Sequence, residues 1–270
     1  MHSKRYNKAS SRIAQRTRAR RNIGLILRVV LASVVLLGIV TVFRAGFLQV
    51  DAFEVEGEET LAESSLQNAA SAFSSGSKLF ILPNSNIIFL DKKKLAHALL
   101  SEFGRLESVE VNKNYMSHSI KLSIKERNAD FLWCSESERC FFMNKEGLVF
   151  EELSDAAMAT ADHVIFRGNL SGDPFMKNFA LPEEMQNYMN FMEILSGAGF
   201  KVDSINIESG EKAVAVTDRG DVVFSPDEGD LSLVAQNVIL LMDEIKSKNP
   251  SASFEYIDAR FGNKMFYKLY

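Results

Sequence analysis

Residues 23–43 (IGLILRVVLASVVLLGIVTVF) form an apolar run broken by one charge, Arg28, and a helix of that length at about 1.5 Å per residue reaches about 31 Å, the depth of a bilayer core. Arg28 stands near one end, where its stem lies along hydrocarbon while the guanidinium reaches the headgroups. A cleaved leader carries a shorter apolar region, about 7 to 15 residues, ending in small residues. Thr41-Val42-Phe43 makes a poor cleavage site. The run is therefore expected to span a membrane.

Beyond it the pattern changes to periods of two and of about 3.6. Phe53-Glu54-Val55-Glu56-Gly57 alternates and ends on a turn residue, which predicts a strand. Thr60-Leu61-Ala62-Glu63 has the form of a capping box, predicting a helix from there with Ala62, Leu66, Ala69, Ala70 and Phe73 on one face and a stop at Ser74-Ser75-Gly76. Asp91 can cap a second helix carrying Leu95, Leu99 and Phe103. Strands follow at 106–113, with Val109 and Val111, and at 119–125, where Ile120, Leu122 and Ile124 alternate with polar residues. The connection at 80–90 (FILPNSNIIFL) is long and apolar; Ile87, Ile88, Phe89 and Leu90 read as core, or, if exposed, as a patch suited to a membrane or partner. The order is β-α-α-β-β.

A second module starts near residue 128. Phe131 to Cys134 and Cys140 to Met143 flank a polar loop and predict a hairpin, followed by a turn and strand over Asn144-Lys145-Glu146-Gly147-Leu148-Val149-Phe150. Val164-Ile165-Phe166 predicts a strand. Pro182, Glu183 and Glu184 open a helix with Met185, Met189, Met192 and Leu195 at helical spacing, read as core packing. Strands are expected at 201–207, 212–217 and 221–224, the last two joined at Asp218-Arg219-Gly220. A long helix at 231–248 presents Val234, Val238, Leu241 and Ile245, with Lys246 and Lys248 at its negative end. The chain closes on two strands, 254–261 and 264–269, around Gly262-Asn263.

Composition narrows the function. With 270 residues, 46% hydrophobic and 24% charged, the chain can build one large or two modest cores. The formal charge of −4 averages two regions: residues 1–28 hold 9 Lys/Arg and no acid, while the rest holds 22 basic and all 35 acidic residues. A basic arm such as Lys4, Arg5, Lys8, Arg12, Arg16, Arg18, Arg20 and Arg21 can bind nucleic acid, but directly ahead of an apolar span it reads as an orientation signal. That puts the amino terminus inside and the carboxyl terminus outside. One span cannot form a pore. In an oxidising compartment Cys134 and Cys140, at the ends of a short hairpin loop, are expected to bridge; the other reading is two small buried apolar residues. They lack the C-x-x-C spacing of a redox pair. His2, His97, His118 and His163 have no metal-ligand spacing, and no nucleophile elbow, P-loop or dinucleotide fingerprint occurs. Asp227-Glu228-Gly229-Asp230 reads as a helix cap before it reads as a cation site.

The chain resembles the FtsQ/DivIB family of bacterial cell-division proteins. The likeness rests on the basic tail and span, on Phe53-Glu54-Val55-Glu56-Gly57, Ser77-Lys78-Leu79-Phe80, Val109-Glu110-Val111 and Ile120 to Arg127 of a POTRA domain, on Asn144 to Phe150, and on the closing Tyr256-Ile257-Asp258-Ala259-Arg260-Phe261 hairpin. Glu126-Arg127 is read either as two solvated charges or as partner-facing. The implied fold class is α+β: a cytoplasmic tail at 1–22, a transmembrane helix at 23–43, a βααββ POTRA domain at 48–127, and a mixed domain with a largely antiparallel sheet at 128–270.

The resemblance implies a non-enzymatic scaffold at the division septum, single-pass in the cytoplasmic membrane. It would connect FtsL-like and FtsB/DivIC-like bitopic proteins to the peptidoglycan synthases FtsW and FtsI, with no cofactor, metal, nucleic acid or small-molecule substrate. The partner strand would add to 265–269, with Phe261 and Tyr267 as anchors and Tyr256, Arg260 and Met265 as neighbours. Alternation puts Met265, Tyr267 and Leu269 on one face and Phe266, Lys268 and Tyr270 on the other without telling which is buried. Two other classes compete: a POTRA-bearing secretion or assembly factor, and a membrane-tethered extracytoplasmic cell-wall enzyme.

Overall fold

The computed structural model describes the backbone of residues 6–75, 77–78, 82–83, 85–154, 162–227, 229–262 and 264–270; side chains are described for 22, 24–46, 48–75 and the later stretches apart from 77–78 and 82–83. Expectations for Lys4, Arg5, Gly76, Leu79, Phe80, Glu228 and Asn263 lie outside these residues. The chain is mixed α/β and divides into two compact units: residues 1–102 with 108–125, and 103–107 with 126–270.

In the first unit, helix α1 covers Tyr6–Phe43, so the basic stretch and the apolar run form one element. Its portion Gly24–Phe43 is long and apolar enough to cross a membrane, and none of it is buried. A single 3-10 turn, Gly46–Leu48, leads to β1 (Ala52–Glu56), which buries Phe53 and Val55 and exposes the residues between them. Helix α2 is Glu63–Ser75. The start expected at Thr60 is corrected by three residues: the first helical bond runs from Ser65 to the carbonyl of Ala62, leaving Ala62 exposed, and the buried positions are Leu66, Ala70 and Ser74. The short pair β2 (Ser77–Lys78) and β3 (Leu82–Pro83) precedes α3 (Lys92–Glu102). Asp91 caps α3 by accepting from the amides of Lys93 at 3.1 Å and Lys94 at 3.3 Å.

Strands β4 (Leu106–Asn114) and β5 (Ser119–Glu126) complete a three-stranded sheet ordered β1-β5-β4. β1 runs parallel to β5 with Ala52 opposite Ser119 and Glu56 opposite Ser123. Parallel neighbours need a long crossover, which α2 and α3 supply. Leu66, Leu95, Leu99, Ile120 and Leu122 are almost fully enclosed. Gly57 ends β1 at φ +90, and a Cβ there would overlap the carbonyl oxygen of Ile124. Only glycine meets both demands without strain.

The second unit is built on a ten-stranded sheet. Its strands are β6 (Phe131–Cys134), β7 (Cys140–Met143), β8 (Leu148–Glu152), β9 (Ile165–Arg167), β10 (Lys177–Asn178), β11 (Val202–Ser209), β12 (Lys212–Thr217), β13 (Asp221–Phe224), β14 (Phe254–Phe261) and β15 (Lys264–Leu269). They are ordered β10-β8-β7-β6-β9-β11-β12-β13-β14-β15. Pairing is parallel at β6-β9, β9-β11 and β13-β14 and antiparallel elsewhere. The parallel pairs β9-β11 and β13-β14 enclose α4 (Pro182–Gly197) and α5 (Leu231–Lys248) respectively. The two helices pack against each other, so both crossovers cover the same face of the sheet.

α4 begins as its sequence predicts, with the Glu184 carboxylate accepting from the Leu181 amide at 2.7 Å. Of the methionine stripe, Met185 and Leu195 are buried and Met192 packs partly covered against the core, while Tyr188 and Phe191 complete the buried face. Aromatic rings bring more apolar area than thioethers and take the centre. Tyr188 meets Phe166 at 5.7 Å and Phe191 meets Phe224 at 4.8 Å between ring centroids. Burial pushes the Tyr188 phenol up to about 12. α5 is capped by Asp230, which accepts from Ser232 and Leu233 amides, and buries Leu231, Val234, Ala235, Val238 and Met242. The expected Leu241 and Ile245 are only partly covered. Asp230 thus acts as the cap that the sequence suggested.

Candidate functional site

The site suggested by sequence is the terminal hairpin, and its two strands stand at one end of the ten-stranded sheet. Among the described residues β15 pairs with β14 alone, Asp258 facing Phe266, Ile257 facing Tyr267 and Tyr256 facing Lys268. Register shifts between Phe254 and Tyr256 and between Asp258 and Phe261 bend β14 near both ends.

The direction of the backbone groups follows from one bond. The Tyr270 amide donates to the Ser253 carbonyl at 3.0 Å, so this residue points toward β14. Amides along a strand alternate in direction. Those of Leu269, Tyr267 and Met265 therefore face away from β14, toward the open edge. The edge is six residues long, whereas the opposite edge of the sheet is β10, two residues long. Short edges discourage added strands and longer ones permit them.

Side chains divide between the two faces. Met265 and Leu269 pack against the main core, and Tyr267, though 46% exposed, lies beside Phe254 with ring centroids 6.0 Å apart. Tyr256, Asp258 and Arg260 occupy the other face with Phe266 and Lys268. The Arg260 guanidinium bonds the Asp258 carboxylate through Nε at 2.9 Å and Nη2 at 2.6 Å and lies 5.3 Å from the centre of the Phe261 ring. That pairing holds the Asp258 carboxyl below its usual range. Phe261 stands at the tip, half-exposed, edge-on to Phe266 at 5.3 Å. Lys268 is bonded to Glu255 at 2.6 Å.

The five residues singled out from sequence are thus brought to one hairpin but not to one surface: Tyr256 and Arg260 belong to the face away from α5, Met265 and Tyr267 to the face toward it, and Phe261 to the tip. Phe266, 55% exposed at the free edge, was missed. Its alternation with Met265 and Tyr267 was the available signal. On the helix side an open groove of about 260 Å³ runs beside the edge, lined by Leu233, Val234, Ala259 and Met265 among others. An extended segment added to β15 would meet outward amides at alternate residues and a groove of mixed lining for its own side chains, apolar at Leu233, Val234, Ala259 and Met265 and polar at Asp230 and Asn237.

At the other end of the sheet Cys134 and Cys140, opposed in the β6-β7 register, form a disulfide with Cα atoms 4.1 Å apart. Arg105 is buried, ion-paired with Glu151, and lies 4.8 Å from the Phe142 ring centre and 5.6 Å from that of Phe150. Arg127 donates through Nε to the Gly104 carbonyl at 3.1 Å, which gives the second half of Glu126-Arg127 a structural partner. Among the described residues no three His, Cys, Asp or Glu side chains are grouped to hold a metal ion. Neither a protein-family model nor a curated protein matches the chain.

Proposed function

We propose that the chain is a single-span membrane scaffold of the FtsQ/DivIB type, whose last strand captures an extended segment of another bitopic division protein by β-strand addition. The observation that carries this reading is the open β15 edge, with the amides of Met265, Tyr267 and Leu269 turned outward beside a partly apolar groove. The unburied apolar stretch Gly24–Phe43 supports a membrane tether, because so large an exposed apolar surface is costly in water and its length matches a bilayer core. The Cys134–Cys140 disulfide supports an extracytoplasmic location for the chain beyond the span. In this reading residues 48–127 form a POTRA domain, and the scaffold links FtsL-like and FtsB/DivIC-like partners to septal peptidoglycan synthesis by FtsW and FtsI.

The substitution Tyr267→Pro tests the capture step. It removes one outward amide while leaving the bonds between β14 and β15 in place, since proline is tolerated on the open side of an edge strand. Pulldown of an FtsB-type partner by the full chain in detergent is expected to fall at least tenfold below that of Tyr267→Ala, which also loses the ring contact with Phe254 but keeps the amide, with circular dichroism and melting the same for the two variants. Undiminished capture overturns β-strand addition. Depletion of the protein is expected to give filaments without septa; normal septation overturns the division reading.

A further inference from the structure

Helix α1 does not lead into the first unit through a free linker. Asn86, fully buried, donates from Nδ2 to the carbonyl of Phe43 at 2.7 Å, the last residue of the apolar stretch, and accepts from the Ile88 amide at 2.9 Å. The Phe89 ring meets Phe43 edge-on at 4.9 Å. The Ile87 amide donates to Leu48 and the Val50 amide to Ser85, both at 2.8 Å, and Gln49 and Ser85 bond through their side chains. Residues 85–89 are therefore bolted to the point where the helix would leave lipid.

A second loop stands beside it. The Asp51 amide donates to the His118 carbonyl at 2.8 Å, which holds the β4-β5 turn near the same point. Lys113 at the end of β4 donates to the Ile88 carbonyl at 3.1 Å and joins the two loops. Asn114 shapes the turn by accepting from the Met116 amide at 3.1 Å and the Ser117 amide at 3.3 Å.

These loops carry what the rest of the unit hides. Among the described residues of the first unit outside α1, the exposed large apolar side chains are Ile88 (48%), Tyr115 (60%) and Met116 (94%), and all belong to these loops. Beside them Lys92, Lys93 and Lys94 occupy the exposed first turn of α3, which contains no acid. Cations at the amino end of a helix oppose its dipole. The Asp91 carboxylate at the cap offsets part of that cost, and an anionic surface outside the helix would offset more. Exposed aliphatic and tyrosine side chains on loops of a unit that also presents three exposed lysines match a lipid interface, the rings and alkyl groups entering the acyl boundary and the ammonium groups meeting anionic headgroups.

We infer that this end of the first unit is a second membrane contact: Ile88, Tyr115 and Met116 sit in the outer headgroup layer and Lys92 to Lys94 bind anionic lipid, fixing the unit against the bilayer. The inference rests on the reading of α1 as a span. It gives the first unit a set orientation at the membrane in place of free rotation about a tether.

The test uses the full chain in vesicles of phosphatidylcholine with phosphatidylglycerol. The two native cysteines are bonded to each other, so a fluorophore can be attached to one introduced thiol at a time in Ile88→Cys, Met116→Cys, Ser64→Cys and Val35→Cys. Nitroxide lipids then report depth. Quenching by a shallow nitroxide is expected at least twofold greater at 88 and 116 than at 64, with the 88 signal weakened by Lys92, Lys93 and Lys94→Gln in these vesicles but not in pure phosphatidylcholine. Val35 is expected to be quenched by a deep nitroxide. Deep quenching at 35 with no excess at 88 and 116 over 64 overturns the inference alone. No quenching at 35 overturns the span and the inference together. Self-quenching at 88 that grows with the protein-to-lipid ratio, without lipid quenching, identifies a second copy of the chain as the occupant and also overturns it. Equal quenching in the lysine variant overturns the role of anionic lipid.

Discussion

Arg260 and Asp258, two residues apart on β14, are joined by two side-chain hydrogen bonds on the sheet face away from the helices. The guanidinium that sequence marked as a partner contact is already matched by a carboxylate of its own strand, and what it offers outward is a flat surface stacked near Phe261. The pair also sets a pH dependence. Asp258 is lowered first by its bond to Arg260 and opposed by burial. A lowered folded value means the contribution is complete above the ordinary aspartate range, near 3.9, and is lost as pH falls through the folded value. Arg260→Ala is expected to return Asp258 toward the ordinary range, read by carboxyl NMR titration, and to cost about 1 kcal/mol at neutral pH, since the pair is part-buried and joined by two charge-assisted hydrogen bonds. An unmoved Asp258 titration would contradict this account.

Arg105 offers a larger effect. Its guanidinium is enclosed, paired with Glu151 and placed near two phenylalanine rings. Arg105→Ala removes a cation from two rings and strands a partly buried carboxylate, for an expected loss of about 2–3 kcal/mol in denaturant unfolding. Arg105→Lys should recover only part of it, because the planar fork is lost.

The disulfide closes a loop of six residues' separation. Loop-closure entropy for so short a ring is about 2 kcal/mol. Cys134→Ser with Cys140→Ser is expected to lower the unfolding free energy of the second unit by that amount, and added reductant should then change the wild-type midpoint but not the variant's.

Gly57 tests the turn after β1. Gly57→Ala forces a methyl group toward the Ile124 carbonyl at φ +90. The left-handed backbone alone costs roughly 1–2 kcal/mol for a residue with a Cβ, and the overlap adds to it. Thermal unfolding monitored in the first unit should drop by several degrees while the second unit is unaffected.

Much of this architecture was written locally. Alternation announced β1 and β5, the caps Asp91 and Asp230 marked α3 and α5, and a polar loop between two short strands brought Cys134 and Cys140 together. Each depends on residues within a few positions of one another, so the signal survives without the fold. The start of α2 lies three residues beyond the expected one because its first turn is closed on the Ala62 carbonyl.

What only the tertiary structure decided is everything that depends on which surface lies opposite. Period-two alternation along β15 defines two faces but no inside; the residues of β14 and α5 decide that Met265 and Leu269 turn inward and Phe266 outward. The face of α4 was chosen by Phe166 and Phe224 from distant strands. The bond from Asn86 to Phe43 joins positions 43 residues apart, and no run of neighbouring residues carries it. Local periodicity specifies an element, whereas burial is a property of pairs of surfaces that the chain brings together only when folded.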